Sequence, residues 1–364
     1  MMAKRKVTIC AYRMNRGATG GAGGVLFMLQ DVLGEQFKDT EFRYVFKASE
    51  SKTALAQYFK NLMDCNPDMY ICHDVVSAFL LSLVKKKYIL VYHQQGPLIQ
   101  ERINLGVKIG AIKRIKTNFY EGKALRCAKS VHFPSNGAEK MYFGSEFRSA
   151  DEKQVRIGEP MYNTIYVDAD LNETVNSYSL ARDDNYTTFY SVGTLTEAKG
   201  QDRAVMFLDK YCENSSRKVR YILIGQGVLK DRLLNALDTL KRKHNNFYYI
   251  YIPRLEHKDI LSVGMLSDVY LMLHRISIFD LSTLEAMYTN NAIVLSDIGG
   301  NLDFNKNGNI VFCNCMDYES AVKRLDSLGI ENLKQKNKKC FEKYFSRVAF
   351  KERYYELALN GGIK

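Results

Sequence analysis

The sequence contains no tryptophan in its 364 residues, and its aromatic bulk comes from 24 tyrosines and 19 phenylalanines. No window reaches ~18 uninterrupted apolar residues, the length a membrane-spanning helix needs, so no such span is expected. Repeats of fixed period are missing, which argues against a solenoid or propeller. Low-complexity tracts and long structureless linkers are missing too. The N-terminal stretch MMAKRKVTICAYRMN is basic but has no apolar run long enough for a signal peptide. No Cys-x-x-Cys pair exists. The eight cysteines (10, 65, 72, 127, 212, 313, 315, 340) are scattered, with Cys313 and Cys315 as the nearest neighbours. Closely spaced ligands for structural zinc are therefore lacking, and no metal is expected. Scattered cysteines without a secretion signal fit a reducing cytosol, so a cytoplasmic location is expected.

The chain has enough apolar residues, at 46%, for packed cores, and its length suits two domains of ordinary size. Lysine and arginine exceed the acids to give a net charge of +12 and a pI near 9.1, which favours an anionic partner. Nucleic acid is not the expected partner, because no recognisable binding motif accompanies the charge.

Short apolar runs alternate with helical patterns throughout, which implies doubly wound parallel sheets. The most informative stretch runs from Asp268 to Asp303. Val269–Leu273 and Ala292–Leu295 read as buried parallel strands. Between them Leu281, Leu284 and Met287 recur at helical spacing, with Glu285 among them. The second strand leads into Gly299, Gly300 and Asn301. Ligands of open α/β sheets sit off the carboxyl ends of strands, so Glu285 and the glycine turn are expected at one crevice.

Earlier in the chain, the strand Lys6–Tyr12 runs into a loop holding Gly17, Gly20, Gly21, Gly23 and Gly24, followed by the helix Val25–Leu33. Bare backbone before a helix N-terminus suits phosphate or sugar. The spacing is neither G-x-G-x-x-G nor a P-loop, and a flexible turn fits equally. Tyr44–Lys47 is a further strand candidate. His73 and His93 close the strands Asp68–His73 and Tyr88–Tyr92; His73 reads as a structural histidine and His93 as a functional one. Val131–Ser135 reads as the last strand of this sheet and its exit. Residues 107–129 carry seven Lys/Arg (108, 113, 114, 116, 123, 126, 129) against one acid, Glu121, with isoleucines and aromatics interleaved. That pattern suits either a helix on an anionic membrane, with Lys108, Lys113, Arg114 and Lys116 facing lipid, or a solvated helix face.

Residues 150–187 lack a clear period and read as a crossover. Thr187–Val192, Val219–Ile224, Phe247–Tyr251 and Ile310–Phe312 read as strands of a second sheet. Helices are expected at Asp202–Tyr211, Val228–Arg242, Lys258–Leu266, Met316–Leu328 and Leu333–Leu359. Gly193 to Gly200 is a strand end, a loop, Lys199 and a helix start, a layout that can receive a diphosphate. Gly225 and Gly227 form a turn after the next strand.

The order Lys199-Gly200, Gly225-x-Gly227, Leu284-Glu285-Ala286-Met287 and Gly299-Gly300-Asn301 resembles the nucleotide-sugar domain of glycosyltransferase family 4. These are retaining enzymes of the GT-B fold. The likeness covers Thr187–Asp303 well and the first domain loosely. It implies two Rossmann-like parallel-sheet domains facing a cleft: 1–182 for the acceptor, 183–345 for the nucleotide sugar, and a helix at 346–364 crossing back to the first.

The resemblance implies that Glu285 holds the donor ribose, a role suited to a carboxylate facing vicinal hydroxyls. It implies that Lys199 meets the diphosphate, that His93 contacts the transferred sugar, and that Gly23 and Gly24 lie near the donor. Gly193, Gly225, Gly227, Leu281, Ser282, Gly299 and Gly300 complete the donor site, with backbone N–H groups of Ile298, Gly299 and Gly300 offered to phosphate or sugar. Two positions depart from the family. A carboxylate usual to it is Ser277 here, and an arginine usual to it is Thr194. Asp280 or His274 is the expected substitute for the first, Arg275 (less so Arg254) for the second. His93, Asp280 and Lys199 are thus the catalytic candidates. The implied activity is transfer from a nucleotide sugar, a UDP-sugar, to a lipid-linked glycan in bacterial surface polysaccharide synthesis, at the inner face of the cell membrane and without a metal or other cofactor. The departures also allow a catalytically silent GT-B-like subunit that binds a partner enzyme or acceptor.

Overall fold

The computed structural model describes residues 4–12, 21–33, 37, 39–47, 53–104, 106–167, 178, 180–314 and 317–360. The chain divides into two compact units. The first is Met1–Thr164 with Arg347–Lys364, and the second is Ile165–Ser346.

The first unit holds a parallel sheet of β1 (Arg5–Ala11), β2 (Thr40–Phe46), β3 (Met69–Cys72), β4 (Tyr88–Val91) and β5 (Val131–His132), in the order β2-β1-β3-β4-β5. Tyr70, Ile71, Cys72, Ile89, Leu90 and Val91 are buried on both faces, which is why these strands read as unbroken apolar runs. Order reverses between β1 and β3, and the residues leaving these strands are tied together there. Asp74 caps the helix Val75–Leu83 through the Ser77 N–H (2.8 Å) and also accepts from the backbone N–H of Tyr12 (2.5 Å). The last helix, Arg347–Asn360, belongs to this unit. Its Phe350, Tyr354, Leu357 and Ala358 share one core with Val7, Ile9 and Ile71.

The second unit holds β6 (Tyr186–Val192), β7 (Lys218–Ile224), β8 (Phe247–Ile252), β9 (Val269–Met272), β10 (Ala292–Ser296) and β11 (Ile310–Cys313). All pair in parallel, in the order β11-β10-β9-β6-β7-β8. Here the order reverses between β6 and β9. A crevice opens at such a switch point, outside the carboxyl ends of the two strands.

Two expectations shift. The sequence puts the boundary near 183, whereas the structure divides between Thr164 and Ile165. Residues just before 183 are bonded into the second unit: Arg220 donates to the Ala181 carbonyl (3.2 Å), and Arg182 reaches Asp268 (3.5 Å). The tail expected as one helix, Leu333–Leu359, is two, Ile330–Cys340 and Arg347–Asn360. A π-helical turn at Phe341–Phe345 separates them. That turn brings Phe345 against Phe279 (5.7 Å) and Phe304 (5.8 Å) in the second unit, so its apolar contacts outweigh the regular helix ladder.

Candidate active site

The loops leaving β6, β9 and β10 meet at the carboxyl edge of the second sheet. Gly193 follows β6, and Thr194, exposed, comes next. Chain turns pack here almost backbone to backbone. A side chain at Gly225, where φ is +141°, would place its Cβ 1.9 Å from the Gly193 carbonyl, and one at Gly300 would lie 1.7 Å from that of Ile278. Gly227 sits against Leu195 in the same manner. These glycines therefore let neighbouring loops touch. The backbone N–H of Gly300, expected to be offered to a ligand, instead donates to the Ser277 carbonyl (2.8 Å), which fixes the β10 loop to the β9 loop.

Each basic group of the site meets a carboxylate. Lys199 ion-pairs with Asp280. Asp280 caps the helix Leu281–Tyr288 through the N–H of Ser282 (3.3 Å), and the Ser282 hydroxyl donates to it as well (2.8 Å). Ser282 in turn meets the Tyr270 hydroxyl (2.7 Å). His274, fully buried, places Nε2 2.9 Å from the same Asp280 carboxylate, close enough for an ion contact but off the line of a ring N–H hydrogen bond. Burial opposes ionisation of Asp280, yet Lys199 and then His274 outweigh it and hold its pKa well below the usual carboxylate range. Arg275 makes a bidentate pair with Asp202 (2.8 and 2.6 Å) and donates to the Glu197 carbonyl (2.7 Å), and its own N–H reaches the Ala198 carbonyl (2.8 Å). This pairing lowers the Asp202 pKa. Glu285 Oε1 meets His257 Nε2 at 2.8 Å, and Oε2 has no partner among the described residues. Leu281 and Ser282 form the first turn of the Glu285 helix and are half-buried. Arg254 is exposed.

Polar atoms left without a hydrogen-bond partner mark the same edge. Gln201 Oε1, His274 Nδ1, Ser277 Oγ, Thr283 Oγ1 and Asn301 Oδ1 are all buried, and none is bonded among the described residues. Among the described residues of the second unit, these atoms lie in the loops and helices that follow β6, β9 and β10; the first unit has its own, among them Thr8 Oγ1, His73 Nε2, Asn163 Oδ1 and the Tyr354 hydroxyl. Buried groups in this condition cost ~1–3 kcal/mol each unless water or a ligand satisfies them.

In the first unit, His73 and His93 leave β3 and β4. His73 Nδ1 and His93 Nε2 are 2.8 Å apart, and the Tyr354 ring stacks on His73 at 5.7 Å. Burial, then His93, holds the His73 pKa well below its ordinary value, and burial pushes His93 down to about 4. Gly23 and Gly24 lie in the first turn of the helix Gly21–Val32. The loop 13–20 before it, with Gly17 and Gly20, is outside the described residues, as is Cys315.

The basic segment forms the helix Ala111–Cys127. Lys108, Lys113, Arg114 and Lys116 are exposed, and so are Ile112 (72%), Ile115 (69%) and Phe119 (58%). Glu121, the lone acid there, is not a surface counter-charge. It is fully buried and accepts from Tyr92 (2.5 Å), the Leu98 N–H (3.0 Å) and Ser149. Burial raises its pKa, against the pull of these hydrogen bonds. No helix among the described residues is long and apolar enough to cross a membrane.

Asp202, His257, Tyr270 and Gln201 were not legible as site residues. Each belongs to the site through topology, and none sits in a local motif. The residue pattern itself has known counterparts. Residues 173–343 match the family model described as glycosyl transferases group 1. No curated protein matches the chain. Among solved structures, sucrose-phosphate synthase from Thermosynechococcus elongatus is similar over 98% of this chain and 99% of its own, at 12% identity and a TM-score of 0.65. HepE of Anabaena, solved with UDP, is similar over 98% and 100%, at 13% identity and a TM-score of 0.66. The lipopolysaccharide outer core galactosyltransferase WaaB is similar over 98% and 99%, at 13% and 0.64. These likenesses establish the GT-B fold for this chain.

Proposed function

We propose that this chain is a retaining glycosyltransferase that moves a sugar from a UDP-sugar to a lipid-linked glycan acceptor in bacterial surface polysaccharide or glycoconjugate synthesis. The observation that carries the reading is the coincidence of two signals. The segment matching the glycosyltransferase family model contains the orphaned buried polar side chains found among the described residues of the second unit, and these lie in the loops and helices that follow β6, β9 and β10 of one sheet. UDP is the preferred donor nucleotide because a structural relative was solved with it.

The residues have distinct tasks in this reading. Glu285, held through Oε1 by His257, keeps Oε2 for the ribose hydroxyls. Lys199 neutralises the departing diphosphate, a preorganised contact whose loss costs ~3 kcal/mol. Asp280 faces the cationic, oxocarbenium-like sugar in place of the acid absent at Ser277. Arg275 locks the β9 loop to the β6 loop through Asp202 and Glu197. The exposed isoleucines and lysines of Ala111–Cys127 rest on an anionic membrane, where each basic residue contributes ~1 kcal/mol.

The direct test offers the purified chain a panel of UDP-sugars with a lipid-linked glycan. UDP release with one donor and an unchanged anomeric configuration in the product is expected. UDP binding without turnover of any donor would point to a silent subunit. For the membrane face, Lys113→Glu, Arg114→Glu and Lys116→Glu together should abolish co-sedimentation with phosphatidylglycerol vesicles at low salt. Unchanged co-sedimentation would leave the helix a solvated surface.

A further inference from the structure

Lys199 is the cation best placed to receive a diphosphate, and it is already neutralised. Its ammonium is paired with Asp280, whose other oxygen caps the Leu281–Tyr288 helix. The nearest alternative, Arg275, is held by a bidentate carboxylate and two loop carbonyl contacts. The chain carries +12 overall, yet Lys199 and Arg275 at this edge are each balanced by a carboxylate. An entering diphosphate therefore meets no uncompensated cation among these groups. One pair has to open.

The two pairs differ in how readily they open. Arg275 has several anchors besides one carboxylate oxygen, so releasing it would undo the contact between two loops. Lys199 pairs with Asp280 alone among the described residues, and its side chain is flexible and part-exposed (31%). Asp280 would keep the helix N-terminus, Ser282 and the nearby His274 after losing Lys199. That pair can therefore part without leaving the carboxylate bare.

We infer that the Lys199–Asp280 pair is a charge handover: the diphosphate takes the ammonium, and Asp280 is thereby freed to face the sugar. Asp280 then has two opposed effects. It weakens the binding of any bare diphosphate by competing for Lys199, and it serves the sugar once the donor is in place. Product release follows the same logic in reverse, since Asp280 recaptures Lys199 as the diphosphate departs. The inference rests on the nucleotide-sugar reading and names a specificity-determining role for Asp280 within it.

The test is calorimetric titration of inorganic pyrophosphate into the full chain and into Asp280→Asn, Lys199→Ala and the double variant. Asparagine caps a helix nearly as well as aspartate, so the fold should hold. Asp280→Asn should bind pyrophosphate about tenfold more tightly, the scale of one released charge-assisted contact. Asp280→Ser, a cap with a shorter reach, should gain as well. In the Lys199→Ala background the Asp280→Asn gain should vanish. Equal or weaker binding by Asp280→Asn, or no binding by any form, overturns the handover. So does a gain that survives Lys199→Ala, which would mean simple loss of negative charge. No sugar or acceptor enters the measurement, so failure to transfer any sugar would count against the proposed activity and not against the handover.

Discussion

The carboxyl edges of the two sheets solve the burial of titratable groups in opposite ways. At the first, His73 and His93 face each other with no acid between them, and burial drives both towards the neutral form. At the second, Lys199, Arg275 and His257 each meet a carboxylate, and Asp280 remains ionised although burial alone would raise its pKa. The difference lies in the counter-charge, since His73 and Asp280 are both largely buried. A buried group with no opposite charge in reach gives up its own; a group with one keeps it. An uncharged edge suits hydroxyl-rich ligands, for which hydrogen bonds suffice. An edge of paired ions suits a ligand that brings charge and can exchange partners.

The sharpest way to break this contrast is to remove the counter-charge. Lys199→Ala leaves Asp280 with His274 and the helix N-terminus only. Turnover of the donor should fall about a hundredfold, or ~3 kcal/mol, while the variant stays folded. The Asp280 pKa should rise, which carboxyl ¹³C shifts would report. Wild-type turnover would remove Lys199 from the chemistry and leave its pair with Asp280 a structural tie.

Each strand among the described residues has a counterpart in the sequence reading, because runs such as Tyr88–Tyr92 and Val269–Leu273 are apolar on both faces and leave no other burial solution. β2 was read only at its end, Tyr44–Lys47, since Thr40, Glu41 and Arg43 break the apolar run at a sheet edge. Motif residues such as Lys199 and Glu285 were legible, their partners were not. Asp202 and His257 gain meaning only when the order β9-β6-β7 brings distant loops together. Glu121 was read only as the lone acid of a basic segment. What buries it is a set of donors, Tyr92, Leu98 and Ser149, that no spacing links to it.

The smallest expected effect concerns acid and the first unit. An unfolded histidine titrates near 6.5, while folded His93 titrates near 4 and His73 also lies well below its ordinary value. The folded state thus binds fewer protons than the unfolded one between these values. Stability from the pair is complete above about pH 6.5 and is lost as pH falls towards 4. His132, lowered by burial, adds to the loss. Glu121 opposes it, since burial raises its pKa and protonation relieves a buried charge. The lowered carboxylates, Asp202 and Asp280, act only further down the scale. The net expectation is a loss of ~2 kcal/mol between pH 7 and 4.5. Urea unfolding followed at tyrosines of the first unit would show it, and ring-proton NMR should find neither His73 nor His93 titrating above pH 5. His93→Gln should flatten the acid limb. Rings that titrate near 6.5 would mean the first edge carries charge at neutral pH, and the contrast with the second would fall.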